Sequence, residues 1–375
     1  MPIKDRVVSW YIQNILIPRI EIIDNPGFII TTLSKPPNIT YLREIFLPEP
    51  LFELIETRIV EHYGNKGKQT LYSAGKKFGY LYASISNFPT INTTNKKDFS
   101  NFAYYLVRYI EGVFSSKAQH KINVDEKLFT VSFKDYIICR HNGLGYIMAD
   151  GGIAGIWAYA VDEKSIEGVQ LECQGRGDDK CLIMCGYEEK IREKTPNFFC
   201  EKNLLGQRFE ETYLSLNRIR PADYSNNSLQ DLLHVGFFEY KHGMLVYNNI
   251  RFFPVESHIL YILEEELSKL ENGEQTLFNI CFDFGRYLRK KYGYKDYKKF
   301  IPDFFPALGF GDITFLDAEN IAAIYYPWTF FSKKSKYIIF RGIISGFVSD
   351  SIKKKIEFKN YDIDIKDFLT LTIKT

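Results

Sequence analysis

The feature that most constrains the fold is a repeat. Phe46-Leu-Pro48 returns as Phe252-Phe-Pro254, Gln69-Thr-Leu-Tyr72 as Gln275-Thr-Leu-Phe278, and Phe78-Gly79 as Phe284-Gly285, each pair 206 residues apart. Further on, Gly151 and Gly155 match Gly342 and Gly346 at a spacing of 191, and Glu172-Cys173 falls opposite Glu357-Phe358 at 185. Solenoid repeats recur every 20 to 50 residues or so, so this pattern is a duplicated domain. A length of 375 residues suits two such units.

Within the first unit, residues 5 to 46 alternate short apolar runs with Pro, Asn and Gly turns, which predicts a strand pair or meander. Pro48 opens a helix in which Leu51, Phe52, Ile55, Ile59 and Tyr63 recur at helical spacing until Gly64. A second helix is expected from about Gln69, with Leu71, Gly75, Phe78, Tyr82 and Ile85 inward, and a third from Asp98 as N-cap. Strands near 118–124 and 128–140 precede a Gly-rich helix at 145–161. The second unit begins with strands at Val235-Gly-Phe-Phe-Glu-Tyr and Met244-Leu-Val-Tyr. Between the units, Phe209-Glu-Glu-Thr-Tyr-Leu has a helical pattern.

The first unit closes on residues 167–188. Val169, Leu171 and Cys173 alternate with polar neighbours before a Gly/Asp turn, and Cys181, Ile183 and Cys185 alternate after it. This is the pattern of a β-hairpin whose two mouth cysteines face each other. The thiols can be free, bridged or metal-bound.

Gly151-Gly-Ile-Ala-Gly155 and Val169-Gln-Leu-Glu-Cys-Gln-Gly-Arg-Gly-Asp-Asp-Lys-Cys181 resemble the 4-vinyl reductase domain family. That family includes small archaeal proteins, a bacteriochlorophyll-biosynthesis protein and sensory domains of bacterial regulators that bind aromatic effectors. The resemblance implies an α+β fold of two tandem domains, each a twisted antiparallel sheet with helices packed on one side, as in Golgi-tethering TRAPP-type proteins. The first domain is expected at 1–188, a helical connector at 189–234 and a degenerate second domain at 235–375. An apolar pocket is implied, with Phe78, Tyr82, Phe102, Tyr146, Gly151, Gly155 and Trp157 as candidate lining residues. In the aromatic-sensing relatives the two cysteines help hold zinc, with a carboxylate three residues before the first and a further cysteine upstream. Here Cys173 and Cys181 match, the carboxylate position is Gln170, and the region of Tyr146 and Ile147 has no cysteine. Cys185 is the expected substitute ligand, with Cys139, His141 and Asp150 more distant candidates. Phe358 replaces Cys173 in the second unit, so no metal is expected there.

Gly151-x-x-x-Gly155 is expected to permit close helix–sheet packing. A formal charge of +2 leaves no electrostatic footprint for nucleic acid. No leader pattern or long apolar run is present, so a cytoplasmic protein without a membrane span is expected. No nucleophile, redox-cofactor or phosphate-loop pattern has recognisable context, which favours a binding module over an enzyme. The fused copies are expected to form an intramolecular pseudo-dimer, and with no output segment recognised, signalling would pass through a protein partner. The alternatives are a tethering protein and a tetrapyrrole-related reductase accessory.

Overall fold

The computed structural model describes residues 3–12, 15, 23–32, 41–194, 227–241, 244–293, 296–324, 326–327, 336–361 and 368–374. The first half runs α1 (Ile3–Tyr11), β1 (Ile23–Asn25), β2 (Phe28–Thr32), β3 (Tyr41–Pro48), α2 (Glu49–Tyr63), α3 (Asn65–Ile85), α4 (Lys96–Phe114), β4 (Lys117–Asn123), β5 (Leu128–Lys134), α5 (Cys139–Asn142), α6 (Ile147–Ala160), β6 (Ile166–Glu172), β7 (Cys181–Tyr187) and α7 (Glu188–Arg192). The second half runs α8 (Leu229–His234), β8 (Glu239–Lys241), β9 (Met244–Tyr247), β10 (Ile250–Glu256), α9 (His258–Ser268), α10 (Gly273–Tyr292), α11 (Tyr297–Ala307), β11 (Asp312–Phe315), β12 (Asn320–Ile324), α12 (Ile338–Ile352), β13 (Glu357–Tyr361) and β14 (Phe368–Lys374). The fold is α+β. Apart from the short α5 of the first half, the order from β1 and from β8 is the same: three strands, three helices, two strands, a Gly-bearing helix and a closing strand pair. The expected connector helix around Phe209 lies outside the described residues.

The strands form three antiparallel sheets. The orders β4-β5-β7-β6 and β11-β12-β14-β13 are equivalent, and the third sheet, β1-β2-β3-β10-β9-β8, spans both halves. The opening strands of each half therefore leave the single sheet expected for it and pair with each other. Residues 42–48 of β3 are all buried, so their backbone groups need a partner strand and not water. The join matches Pro48 with Phe252, Leu47 with Phe253, and Phe46 with Pro254. These are the residues that correspond in the repeat. Such self-complementary register is the signature of two-fold symmetry, here with the Leu47–Phe253 pair on the axis.

The helices differ from expectation in ways that sequence spacing concealed. Residues 3–11 are helical and not part of a meander: Ser9 faces inward and donates to Glu111 Oε2 (3.1 Å), while Ile3, Val7, Trp10 and Tyr11 lie outward and mask the apolar period. Helix α3 starts at Asn65, because Gly64 at φ 57° reverses the chain between α2 and α3. Asn95 caps α4 and accepts from the Asp98 amide (2.9 Å), so Asp98 is the third helical residue and not the N-cap. Strand β5 stops at Lys134, six residues early, because Asp135 and Ile138 adopt φ 55° and 72°.

The glycine pairs pack helix on helix, not helix on sheet. A Cβ on Gly79 would lie 1.9 Å from Gly152 O, and one on Gly155 2.2 Å from Lys76 O. In the second half, Gly285 would meet Ile343 O at 2.1 Å and Gly346 would meet Phe282 O at 1.9 Å. Helices α3 and α6, like α10 and α12, are thus in backbone contact. Among the described residues, no helix is long and apolar enough to cross a membrane.

Candidate functional site

Two features stand out: a buried thiol cluster in the first half and an apolar cavity beside α6. The hairpin β6–β7 supplies two of the thiols. Cys173 directly follows β6, its amide donating to Asp178 Oδ2 (2.7 Å), and Cys181 begins β7. The third is Cys139. It follows Ile138, a β-branched residue held at φ 72° with its amide donating to Glu49 Oε1 (2.8 Å). A β-branched residue in that region is strained, and strain of this kind persists only where surrounding contacts hold it. Gly175 lets the hairpin turn meet this loop, since a Cβ there would sit 1.9 Å from Cys139 O.

The Sγ atoms of Cys139, Cys173 and Cys181 all lie within 4.8 Å of one another, and all three side chains are buried. Gln170, at the position of the expected carboxylate, donates from Nε2 to Cys139 Sγ (3.2 Å) and accepts the Tyr146 amide at Oε1 (3.2 Å). The Cys173 thiol is pushed far down by hydrogen bonds from Cys139 and Cys181, with further help from the Gly175 amide and Arg176. Cys139 is pushed up by its hydrogen bonds to Cys173 and Cys181 and by burial. Cys181 is eased by Cys139 but raised by Cys173 and burial, reaching about 11. The described cysteines form no disulfide.

Cys185 is not part of this cluster. It shares a face with Cys181, but four residues of strand separate them by about 13 Å. Its sulfur lies beside Gly168 instead. Cys139 takes the place expected for Cys185. It was obscure because residues 135–140 read as strand. His141 is engaged by Glu49 Oε1 at 3.1 Å. The buried Oδ1 of Asp150 has no hydrogen-bond partner, and burial, then Glu56, pushes that carboxyl well up.

Three sulfurs at this spacing fit a zinc or similar soft-metal centre, which takes a fourth ligand from solvent or a nearby side chain. Among the described residues, no comparable group occurs in the second half. There β13 places Phe358, fully buried, where β6 leads into Cys173.

The cavity holds about 130 Å³. Phe78 and Tyr82 of α3, Tyr109 and Phe114 of α4, and Ala149, Gly152 and Ile156 of α6 form its walls, with Tyr136 and Tyr146 at one side. Pro254, Val255 and Glu256 of β10 and Ile259 of α9 come from the second half. Of the candidate residues, Phe78, Tyr82 and Tyr146 line it. Phe102 and Trp157 line an adjoining hollow of about 40 Å³ that shares Leu106, Ile110, Ile153 and Ile156 with it. Gly151 and Gly155 do not: they face α3, and the adjacent Gly152 faces the cavity. Sequence spacing missed Glu44 and Glu256, which reach the same cavity. The available signal was an acid within each largely apolar strand, accompanied by Arg43 in β3 and Arg251 in β10.

In the second half the space is filled. At the α6–α12 spacing of 191, Ala149, Gly152 and Ile156 correspond to Phe340, Ile343 and Phe347, all buried. Phe347 stacks on Phe300 with ring centroids 4.9 Å apart.

No family model and no curated protein matches this chain. Among solved structures, the phenol-responsive sensory domain of the transcription activator PoxR, crystallised with phenol, is similar at 17% identity and a TM-score of 0.37, over 52% of this chain and 96% of that one.

Proposed function

We propose that this protein is a small-molecule-binding module whose first half takes up an apolar or aromatic ligand of about one ring. The cavity beside α6 carries this reading. At about 130 Å³ it is close to the size of an engineered apolar cavity that binds benzene, and its counterpart is filled by Phe340 and Phe347. A tetrapyrrole needs several times that room, so the reductase-accessory reading is not favoured. In this reading residues 1–188 and 235–375 are two domains of the 4-vinyl reductase type, joined as an intramolecular pseudo-dimer. The self-complementary register of β3 and β10 supports that arrangement. It also keeps a tethering role as the second reading.

Cys139, Cys173 and Cys181 would hold zinc in this scheme. Bound there, zinc would lock the hairpin to the 135–142 loop, which carries Tyr136 into the cavity wall. Its work is structural in this reading, and no reaction is assigned to it.

The experiment is a titration of the whole chain with toluene and benzyl alcohol, followed by calorimetry and native mass spectrometry, beside Ile156→Phe. That change copies Phe347 into the first half and is expected to keep the fold and abolish uptake. Equal binding by Ile156→Phe, or no binding of any one-ring ligand, charged or neutral, by the parent chain, would overturn the reading.

A further inference from the structure

The cavity is apolar except at one end, where two carboxylates meet. Glu44 of β3 and Glu256 of β10 are register partners across the strand pair that joins the halves, and both line the cavity. Directly opposed side chains have Cβ atoms about 4.5–5.5 Å apart, and two like charges so placed repel. Neither is left in water: Glu44 is 4% exposed and Glu256 1%. Among the described residues, no Lys or Arg lines the cavity.

The two acids are held differently. Glu44 Oε1 accepts from Thr31 Oγ1 (2.8 Å). Glu256 accepts the His258 amide at Oε2 (3.0 Å) and contacts His258 Nδ1 and Ser257 Oγ through Oε1 (2.9 and 3.1 Å). Glu256 thus has several donors around it, with the buried Arg43 also near, while Glu44 has a single neutral donor. Burial, offset by Thr31 and reinforced by Glu256, pushes Glu44 up to about 7. The rings of Tyr82 and Tyr109 line the same cavity, and burial, then Glu44, pushes both hydroxyls well up. Carboxylates with aromatic faces beside them form an environment that welcomes a cation.

We propose that the cavity selects a small aromatic or apolar molecule carrying a protonated amine, with its ammonium seated at Glu44 and Glu256. The inference rests on the binding reading above and names the ligand class for that cavity. One carboxylate comes from each half, so neither half alone forms the complete site. At the repeat spacing of 206, the counterparts of Glu44 and Glu256 are Ile250 and Pro50. Among the described residues the pair occurs once.

A size-matched series separates the two claims: benzylamine, benzyl alcohol, toluene and benzoate, titrated calorimetrically into the whole chain at neutral pH. Benzylamine is expected to bind at least about tenfold tighter than benzyl alcohol or toluene, with benzoate weakest. Glu44→Gln keeps the Thr31 contact and should reduce that preference to about twofold or less. Toluene or benzyl alcohol binding as tightly as benzylamine would overturn the inference and leave the binding reading standing. No binding by any of the four would overturn both. Should Glu44→Gln not fold, the series on the unmodified chain decides.

Discussion

The two halves share an order of elements, a sheet topology and a pair of helices in backbone contact, yet differ in what those helices enclose. Tyr72, Lys76 and Gly79 of α3 contact Gly151 and Gly155 as Phe278 and Phe282 of α10 contact Gly342 and Gly346. The frame is the same residue for residue. Above it, Ala149, Gly152 and Ile156 leave room, while Phe340, Ile343 and Phe347 fill it. The thiol cluster follows the same division, with Cys173 in one half and Phe358 in the other. A packing scaffold of this kind separates cleanly from its contents. Backbone contact requires glycine at a few positions, whereas the space beyond accepts either a void or a ring.

The comparison can be broken first at the filled side. Phe347→Ala removes a buried ring stacked on Phe300 and should cost about 3–5 kcal/mol, read as a lowered denaturation midpoint. A much smaller loss would show that the second half is not tightly filled. Metal comes next. Zinc analysis should find one ion per chain, and Cys173→Ser should lose it. With metal at about a thousandfold over its dissociation constant, the stability lost is about 4 kcal/mol. Unchanged melting with no metal in the parent chain would remove the metal from the account.

The glycine contacts sharpen the likeness rather than the difference. Gly79→Ala and Gly285→Ala each press a methyl group onto backbone and should each cost about 1–3 kcal/mol or more. Tolerance of one and not the other would refute equivalent frames. The smallest effect concerns a buried acid at the start of each Gly-bearing helix. Glu56 accepts the Met148 amide and Glu264 accepts the Ile339 amide, each at 2.9 Å. Burial, opposed by those amides, raises Glu56 to about 8 and Glu264 to about 7 from 4.5. A raised folded value means each acid contributes stability that is complete below about pH 4.5 and is lost as pH climbs through 7 to 8. The slope per group is at most about 1.4 kcal/mol per pH unit. Glu56→Gln and Glu264→Gln should each flatten the fall in melting temperature between about pH 5 and 8. A slope unchanged by both would place these carboxyls outside the linkage.

Much of this was legible beforehand because it rests on local periodicity. The two-residue alternation around Cys173 and Cys181 marked the hairpin, and the three- and four-residue spacing from Leu51 to Tyr63 and from Leu71 to Ile85 marked α2 and α3. The N-terminal helix was not legible, since its apolar residues face outward. Cys139 was hidden for a different reason. Tyr136-Ile137-Ile138 has the composition of a strand, and only the contacts of Asp135 and Ile138 with Arg251, Gln174 and Glu49 turn it away.

The linear order of residues determined the doubling, the hairpin and the unequal distribution of cysteines, because each is a relation between near neighbours or between two copies of the same string. Three things awaited tertiary structure: the joining of β3 to β10, the meeting of Glu44 with Glu256, and the choice of Cys139 over Cys185. Each depends on a register or a backbone reversal linking segments far apart in sequence. Such pairings follow from burying whole faces together, and no local pattern of side chains records which distant partner will be opposite.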